Sequence, residues 1–365
     1  MAKRAFYQII VAGQDISSRF NPLSTSIRIS DKEGTHSDSA EITVDDRDGY
    51  ILLPQTGAPM SILLGWEGFG AISVFVGTVD EVRSRGTRGG GRELTISAKG
   101  VDTEGKAKQP QQRHMDNKTV KQALEETGKA AGITSIKVDP KFASETREWW
   151  GLNDESFLHF GERVAHELGG VFKVRGTEAI LAVKDGGSAS GLAMGTVTGA
   201  WGDNLISWDI SPTLGRKRHK KSRARYYDRK AAKWKETEVE ILDQGAQAIF
   251  GDRYSRADEG ESKGSATNGA KDAEREKGGG SAEIDGNAAA RPGGTFLLVG
   301  ARPGIDGAYR IEGVDHNYSR SGWTTKLELK LPQGEAGKDK RKPGAGSKSY
   351  EPSDFGAEHI FAPQK

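Results

Sequence analysis

The densest run of chemically able side chains is Arg216-Lys217-Arg218-His219-Lys220-Lys221-Ser222-Arg223-Ala224-Arg225, followed directly by Tyr226 and Tyr227. Cations at this density neutralise phosphates, and neighbouring aromatic rings stack on bases. Arg216, Lys217, Arg218, Lys220, Lys221, Arg223 and Arg225 could therefore contact a polyanion. The same residues also suit an exposed loop entering a strand, with Glu236, Glu238 and Glu240 balancing the charge. One basic cluster is not a groove, so the second reading is preferred; lining a channel lies between the two.

A second constellation is His159, Glu162 and His166, whose spacings of three and four make helix neighbours. The His-Glu-x-x-His zinc arrangement is absent there, and the chain has 0 cysteines, so these residues are expected on a solvated face. Ser188 and Ser190 stand in the glycine-bounded stretch 186–191, which reads as flexible linker rather than a nucleophile elbow. Gly86 to Gly91 falls inside a hairpin with no helix behind it to present a dipole to phosphate. Asp45 and Asp46 form a turn before Gly49 more simply than a glycosidase pair. The expectation is no catalytic residue, no cofactor and no metal.

Composition bounds the rest. At 365 residues the chain has room for two or three domains. With 53 basic and 51 acidic residues the net charge is +2, too small for a global field that would draw nucleic acid or membrane. The 49 glycines favour turns and β structure. Lack of cysteine excludes disulfides and fits a reducing compartment. Neither a signal-peptide pattern nor an 18-residue apolar stretch is present, so synthesis in the cytosol without a membrane-spanning segment is expected.

From Phe6 to Gly100, short apolar runs broken by turn residues predict six or so strands; Ile27 and Ile29, then Ile42 and Val44, each show one apolar face. The period changes near Lys106. Thr119-Val120-Lys121-Gln122 has capping-box spacing, and Val120, Ala123, Leu124 and Thr127 share a helix face ending near Gly132. A second helix carries Phe157, Phe160 or Gly161, Val164 and Leu168 inward, capped by Asn153 or Asp154 and closed by Gly169-Gly170. Val171 to Val174 and Ala179 to Val183 make a hairpin around Arg175-Gly176. Beyond the linker, strands resume at Asn204 to Ile210, and Ser222 to Tyr227 pairs with Trp234 to Leu242. Glu259 to Gly286 is polar and glycine-rich, with helical leanings only at Asp272 to Lys277, and is expected to be partly disordered and flexible; the tail beyond Pro332 has too few apolar residues to pack alone. The β pattern returns from Thr295 to Leu331.

An internal echo joins the two ends. Val79-Asp80, Ser84-Arg85-Gly86 and Leu94-Thr95-Ile96 recur as Val314-Asp315, Ser319-Arg320-Ser321-Gly322 and Leu327-Glu328-Leu329. Each copy is a hairpin closing a β region, which suggests two copies of one β domain around an α/β domain.

Three strings in order carry a family resemblance. The first is Asp45-Asp46-Arg47-Asp48-Gly49-Tyr50-Ile51-Leu52-Leu53-Pro54, with Gly57-Ala58 and Leu64-Gly65-Trp66 after it. The second is Glu155-Ser156-Phe157-Leu158 with Ala165-His166-Glu167-Leu168-Gly169-Gly170. The third is Asp306-Gly307-Ala308-Tyr309-Arg310-Ile311 with residues 314–325. Together they resemble the phage late-control D family, over roughly residues 5 to 332. The resemblance implies a mainly β fold with an α+β insertion: two tube-like β-barrel domains at 1–105 and 188–332, the second carrying a flexible polar insertion near 259–286. A small α/β domain at 106–187 and an extended tail at 333–365 complete the expected division.

It further implies a structural baseplate hub protein of a contractile tail, a homotrimer forming a pseudo-sixfold ring in the virion. Its implied partners are the tail tube protein, a central spike protein expected as a separate chain, and baseplate wedge proteins. DNA in the tail channel would be a passing contact. Neither the basic run nor the tail after Pro332 matches the family pattern. A hub-associated peptidoglycan hydrolase and a nucleic-acid-binding tail protein are the competing classes.

Overall fold

The computed structural model describes residues 4–337 apart from 22, 24, 34–36, 102–104, 185–194, 213–218, 242–245 and 334–335. The linker at 186–191, Arg216, Lys217, Arg218 and most of the tail after Pro332 therefore lie outside the described residues.

Strands dominate. Alternation in Thr25–Lys32 buries Thr25, Ile27, Ile29 and Asp31 while Ser26 and Arg28 face out, the signature of a half-buried strand. Thirteen strands join in one sheet. Its N-terminal half runs Thr25–Lys32, Ser39–Asp45, Gly91–Lys99, Gly70–Thr87, Pro59–Trp66, Ala5–Val11, each antiparallel to the next. The C-terminal half runs Leu205–Ser211, Gly279–Asp285, Gly322–Gln333, Gly307–Ser319, Thr295–Val299, Thr196–Ala200. Both halves follow one strand order and differ only at the last pairing, which is parallel in the C-terminal half. The bulge of the N-terminal long hairpin has a counterpart in the C-terminal one, which carries a second irregularity between Ala308 and Arg310. An extra residue stands between Val79 and Glu81 opposite Ala98-Ser97, and between Ile311 and Gly313 opposite Leu329-Glu328. The echo in sequence is thus real as hairpins but slipped, by three residues on the first strand, where Val79 matches Ile311 rather than Val314, and by two on the returning strand, where Ala98 rather than Ile96 matches Leu329. Among the described residues neither half closes into a hydrogen-bonded barrel; the sheet stays open, with edges at Gln14–Asp15, Leu205–Ser211 and, on the branch through Thr295–Val299, Thr196–Ala200.

Residues 106–183 pack around their own core, including Leu124, Trp150, Phe157, Phe160 and Phe172. The capping box forms as expected: Gln122 N–H donates to Thr119 Oγ1 at 3.2 Å, and Thr119 N–H to Gln122 Oε1 at 3.1 Å. The next helix, Phe157–Leu168, is capped by Ser156 rather than Asn153 or Asp154, because the helix begins only at Phe157, where the Ser156 hydroxyl accepts from His159 N–H at 3.3 Å. The strand before it, Thr146–Ser156, pairs with Pro110–Thr119 in a hairpin-like arm. Gly169 ends the helix at φ 69°, a left-handed conformation that glycine adopts without a Cβ clash.

The expected flexibility of 259–286 is corrected. Glu259–Arg275 is a 17-residue helix and Gly279–Asp285 a core strand. Few apolar residues are needed because Ser262, Ala266 and Ala270, four apart, present one small buried stripe. Asp258 caps the helix by accepting from Glu261 N–H at 2.8 Å. The helix lies on the three-stranded sheet Lys221–Asp228, Lys233–Glu240, Ile249–Arg256. This whole unit is inserted between two adjacent strands of the main sheet, Leu205–Ser211 and Gly279–Asp285.

Candidate functional site

The two sheet halves meet where Gly313–Tyr318 pairs antiparallel with Ile27–Lys32. Trp323 crosses the joint, buried in the N-terminal core 5.6 Å from Trp66, whose Nε1 donates to Gly286 O at 2.9 Å. A buried polar cluster lies alongside. Asp31 and Asp38 come from the N-terminal half, and Lys173 and Arg175 from the strand Gly170–Arg175 of the middle region. Arg175 donates to Asp31 Oδ2 at 3.0 Å and to Asp38 Oδ2 at 3.1 Å; the Lys173 ammonium touches both carboxylates. Burial alone would raise the Asp31 carboxyl, but the two cations outweigh it and hold its pKa below the ordinary value. At Asp38, burial and the neighbouring Asp31 charge win and push the pKa up.

His316, in the strand at the joint, is almost wholly buried, with Nδ1 3.0 Å from Thr325 Oγ1. Burial, then the positive charge of Arg291, lowers its pKa to about 4, with Asp31 opposing. The imidazole is neutral at physiological pH. Three regions therefore converge on one desolvated polar joint. No single stretch of sequence could reveal it, because Asp31, Lys173 and His316 lie far apart along the chain.

The described part of the basic run enters and forms the central strand of the inserted unit's sheet, Lys221–Asp228, between Lys233–Glu240 and Ile249–Arg256. Ser222, Ala224 and Tyr226 face inward, while Arg223, Arg225 and Tyr227 face solvent. Lys221 pairs with Glu238 at 2.8 Å, Arg223 with Glu236 at 3.2 Å, and Arg225 sits 5.7 Å over the Trp234 ring. Lys220 enters the same strand, its N–H donating to Ala248 O. The carboxylates of the neighbouring strand thus stand against these cations and lower the field they offer a polyanion.

His159, Glu162 and His166 share a cleft of 610 Å³ with Glu33, Lys184 and Asp272. Among the described residues no group of three His, Cys, Asp or Glu side chains is placed to hold a metal ion. Gly260-Glu261-Ser262-Lys263-Gly264 also has the Gly-x-Ser-x-Gly spacing of a nucleophile elbow. Ser262 is nonetheless wholly buried inside the helix, not exposed on a strand-to-helix turn, so it is no nucleophile elbow. Most of the first family string lies in the loop 46–58, where Tyr50 is 87% and Leu52 82% exposed, and its last part, Leu64-Gly65-Trp66, in the strand Pro59–Trp66. No helix among the described residues is long and apolar enough to cross a membrane.

The fold is that of a phage tail protein. Over 90% of this chain and 98% of the other, it superposes on the 43 kDa tail protein of prophage MuSo2 from Shewanella oneidensis, with a TM-score of 0.68 at 13% identity. In sequence it is similar to the probable baseplate hub protein of Escherichia phage P2, 27% identical over 193 residues, covering 53% of this chain and 49% of that one. The probable baseplate hub protein of Escherichia phage 186 is 29% identical over 133 residues, covering 36% of this chain and 33% of that one. The chain thus spans half or less of the length of the curated relatives it matches. No family model matches the chain.

Proposed function

We propose that the chain is a structural subunit of a contractile-tail baseplate hub, a ring that joins the tail tube to the central spike. The observation that carries this reading is the duplication: two β halves of one strand order lie side by side in one sheet. Three such chains would present six similar units to a sixfold tube and keep threefold symmetry for a spike. The domains are then 1–105, 106–187 and 188–332, with the inserted unit and middle region outside the ring. Tail tube, spike and wedge proteins are its partners, and the exposed loop with Tyr50 and Leu52 supplies apolar contact area for them.

Its role is architectural rather than catalytic. The relatives carry hub names, and neither Ser262 nor the His159 cleft has an arrangement for turnover. The basic run is assigned to a channel-facing or polyanion-contacting surface only for what lies beyond its ion pairs. Gold-labelled antibody against the chain, viewed by electron microscopy on intact particles, is expected at the centre of the baseplate. Label along the tail shaft, or none on particles, would refute the hub reading.

A further inference from the structure

The joint inside the chain has an unfilled counterpart. In the C-terminal half, Gly307–Ser319 pairs with Thr295–Val299 near its start, and its later residues, Gly313–Tyr318, take Ile27–Lys32 as an added strand. The equivalent strand of the N-terminal half is Gly70–Thr87. Its first part pairs with Pro59–Trp66 up to Thr78, while residues 81–87 pair, among the described residues, on one side only, with Gly91–Lys99. The added strand also has an equivalent. Thr25–Lys32 is first in the N-terminal order, and Leu205–Ser211 is first in the C-terminal order, pairing among the described residues only with Gly279–Asp285. One open edge therefore repeats the donor side of the joint and the other repeats its acceptor side. They lie on different halves.

We infer that Leu205–Ser211 of one copy of this chain adds antiparallel to residues 83–86 of a second copy, repeating between chains the joint that exists within each. This rests on the ring reading above and supplies its contact. The bulge-to-bulge match sets the register. Ile96 corresponds to Leu327; their neighbours are Ile42 and Ala282, and the next strands out place Ile27 equivalent to Trp208. Since Tyr318, Asn317 and His316 face Ile27, Arg28 and Ile29, Gly86 faces Trp208, Arg85 faces Asp209, and Ser84 faces Ile210 across chains. The pairing is chemically apt. A guanidinium meets a carboxylate, both exposed now, and the bulky indole meets the residue without a side chain. An open edge of this length is otherwise a template for stray pairing, and a head-to-tail contact of this kind covers it in every copy when the ring closes.

The full chain has 0 cysteines, so engineered pairs report cleanly. Arg85→Cys/Asp209→Cys and Ser84→Cys/Ile210→Cys test adjacent positions in register, and Arg85→Cys/Ser207→Cys is the shifted control. After mild oxidation at least one in-register pair is expected to give a non-reducing ladder ending at a closed oligomer, with the control uncoupled. Separately, Asp209→Arg is expected to weaken self-association about tenfold by mass photometry, with Arg85→Asp restoring it. Association of the unmodified chain without in-register coupling, or indifference to Asp209→Arg, overturns the strand junction and leaves the ring reading standing. A chain that stays monomeric at every concentration overturns both.

Discussion

Acidification should weaken the joint through His316. Its folded-state pKa is about 4 against an ordinary 6.5, because burial comes first and the Arg291 charge second. Below pH 6.5 the unfolded chain takes up a proton on this ring that the folded chain refuses, so the penalty is absent above that pH. It grows as pH falls towards 4 and then levels off. Between pH 7 and 4.5 the loss from this one group is about 2 to 3 kcal/mol, worked from about 1.4 kcal/mol per pKa unit. That is a sizeable share of a typical total stability of about 5–15 kcal/mol. His316→Gln keeps a hydrogen-bonding group near Thr325 and removes the titration. Urea unfolding followed by tryptophan fluorescence at pH 7, 5.5 and 4.5 should show a steeper fall for the native chain than for the variant. Equal falls over the window, or a His316 ring that titrates near 6.5 by NMR, would refute the reasoning.

Lys173→Met should destabilise by about 3–5 kcal/mol, read from the urea midpoint, because it leaves Asp31 and Asp38 buried against one remaining guanidinium. Gly161→Ala should cost about 1–2 kcal/mol in the same assay. An added Cβ would lie 2.4 Å from the Phe172 ring, and that overpacking exceeds the gain of about 1 kcal/mol from better helix propensity. Thr119→Ala should cost about 1 kcal/mol by removing the cap, with Thr119→Ser restoring most of it.

Local signals were legible where a few neighbouring residues decide the outcome. Thr119 and Gln122 fix a helix start by reciprocal hydrogen bonds, and Ile27 and Ile29 fix a buried face by alternation. The helix Glu259–Arg275 was not legible in composition, because Ser262, Ala266 and Ala270 bury little apolar area and count as polar or small in any average. Its signals were positional: an acidic cap at Asp258 and a four-residue spacing. The Asp31–Lys173 cluster was hidden for another reason. Its members come from strands over a hundred residues apart, and nothing near Asp31 says that it will be buried.

The inserted unit allows a sharper test of how the molecule is organised. Ser211 pairs with Gly279, and a Cβ on Gly278 would lie only 2.2 Å from Pro212 O, so the chain leaves and rejoins the main sheet at one point. Residues 213–277 can therefore be replaced by Asn-Gly, which closes a tight turn between antiparallel strands. Among the described residues, the core around Ile284, Phe296, Tyr309 and Ile311 draws none of its buried residues from the excised part. Its folding should survive. What the deletion removes are bonds to the middle region: Asn268 Nδ2 to Glu167 O at 3.1 Å, Lys184 to Asp272 at 2.9 Å, and Arg147 to Glu261 at 3.5 Å. The shortened chain is expected to keep a β-type circular dichroism spectrum and one cooperative sheet transition. Hydrogen exchange around Phe157–Leu168 should rise, because that helix loses its neighbour. Loss of the β spectrum would mean that the inserted unit is part of the main fold rather than an addition to it.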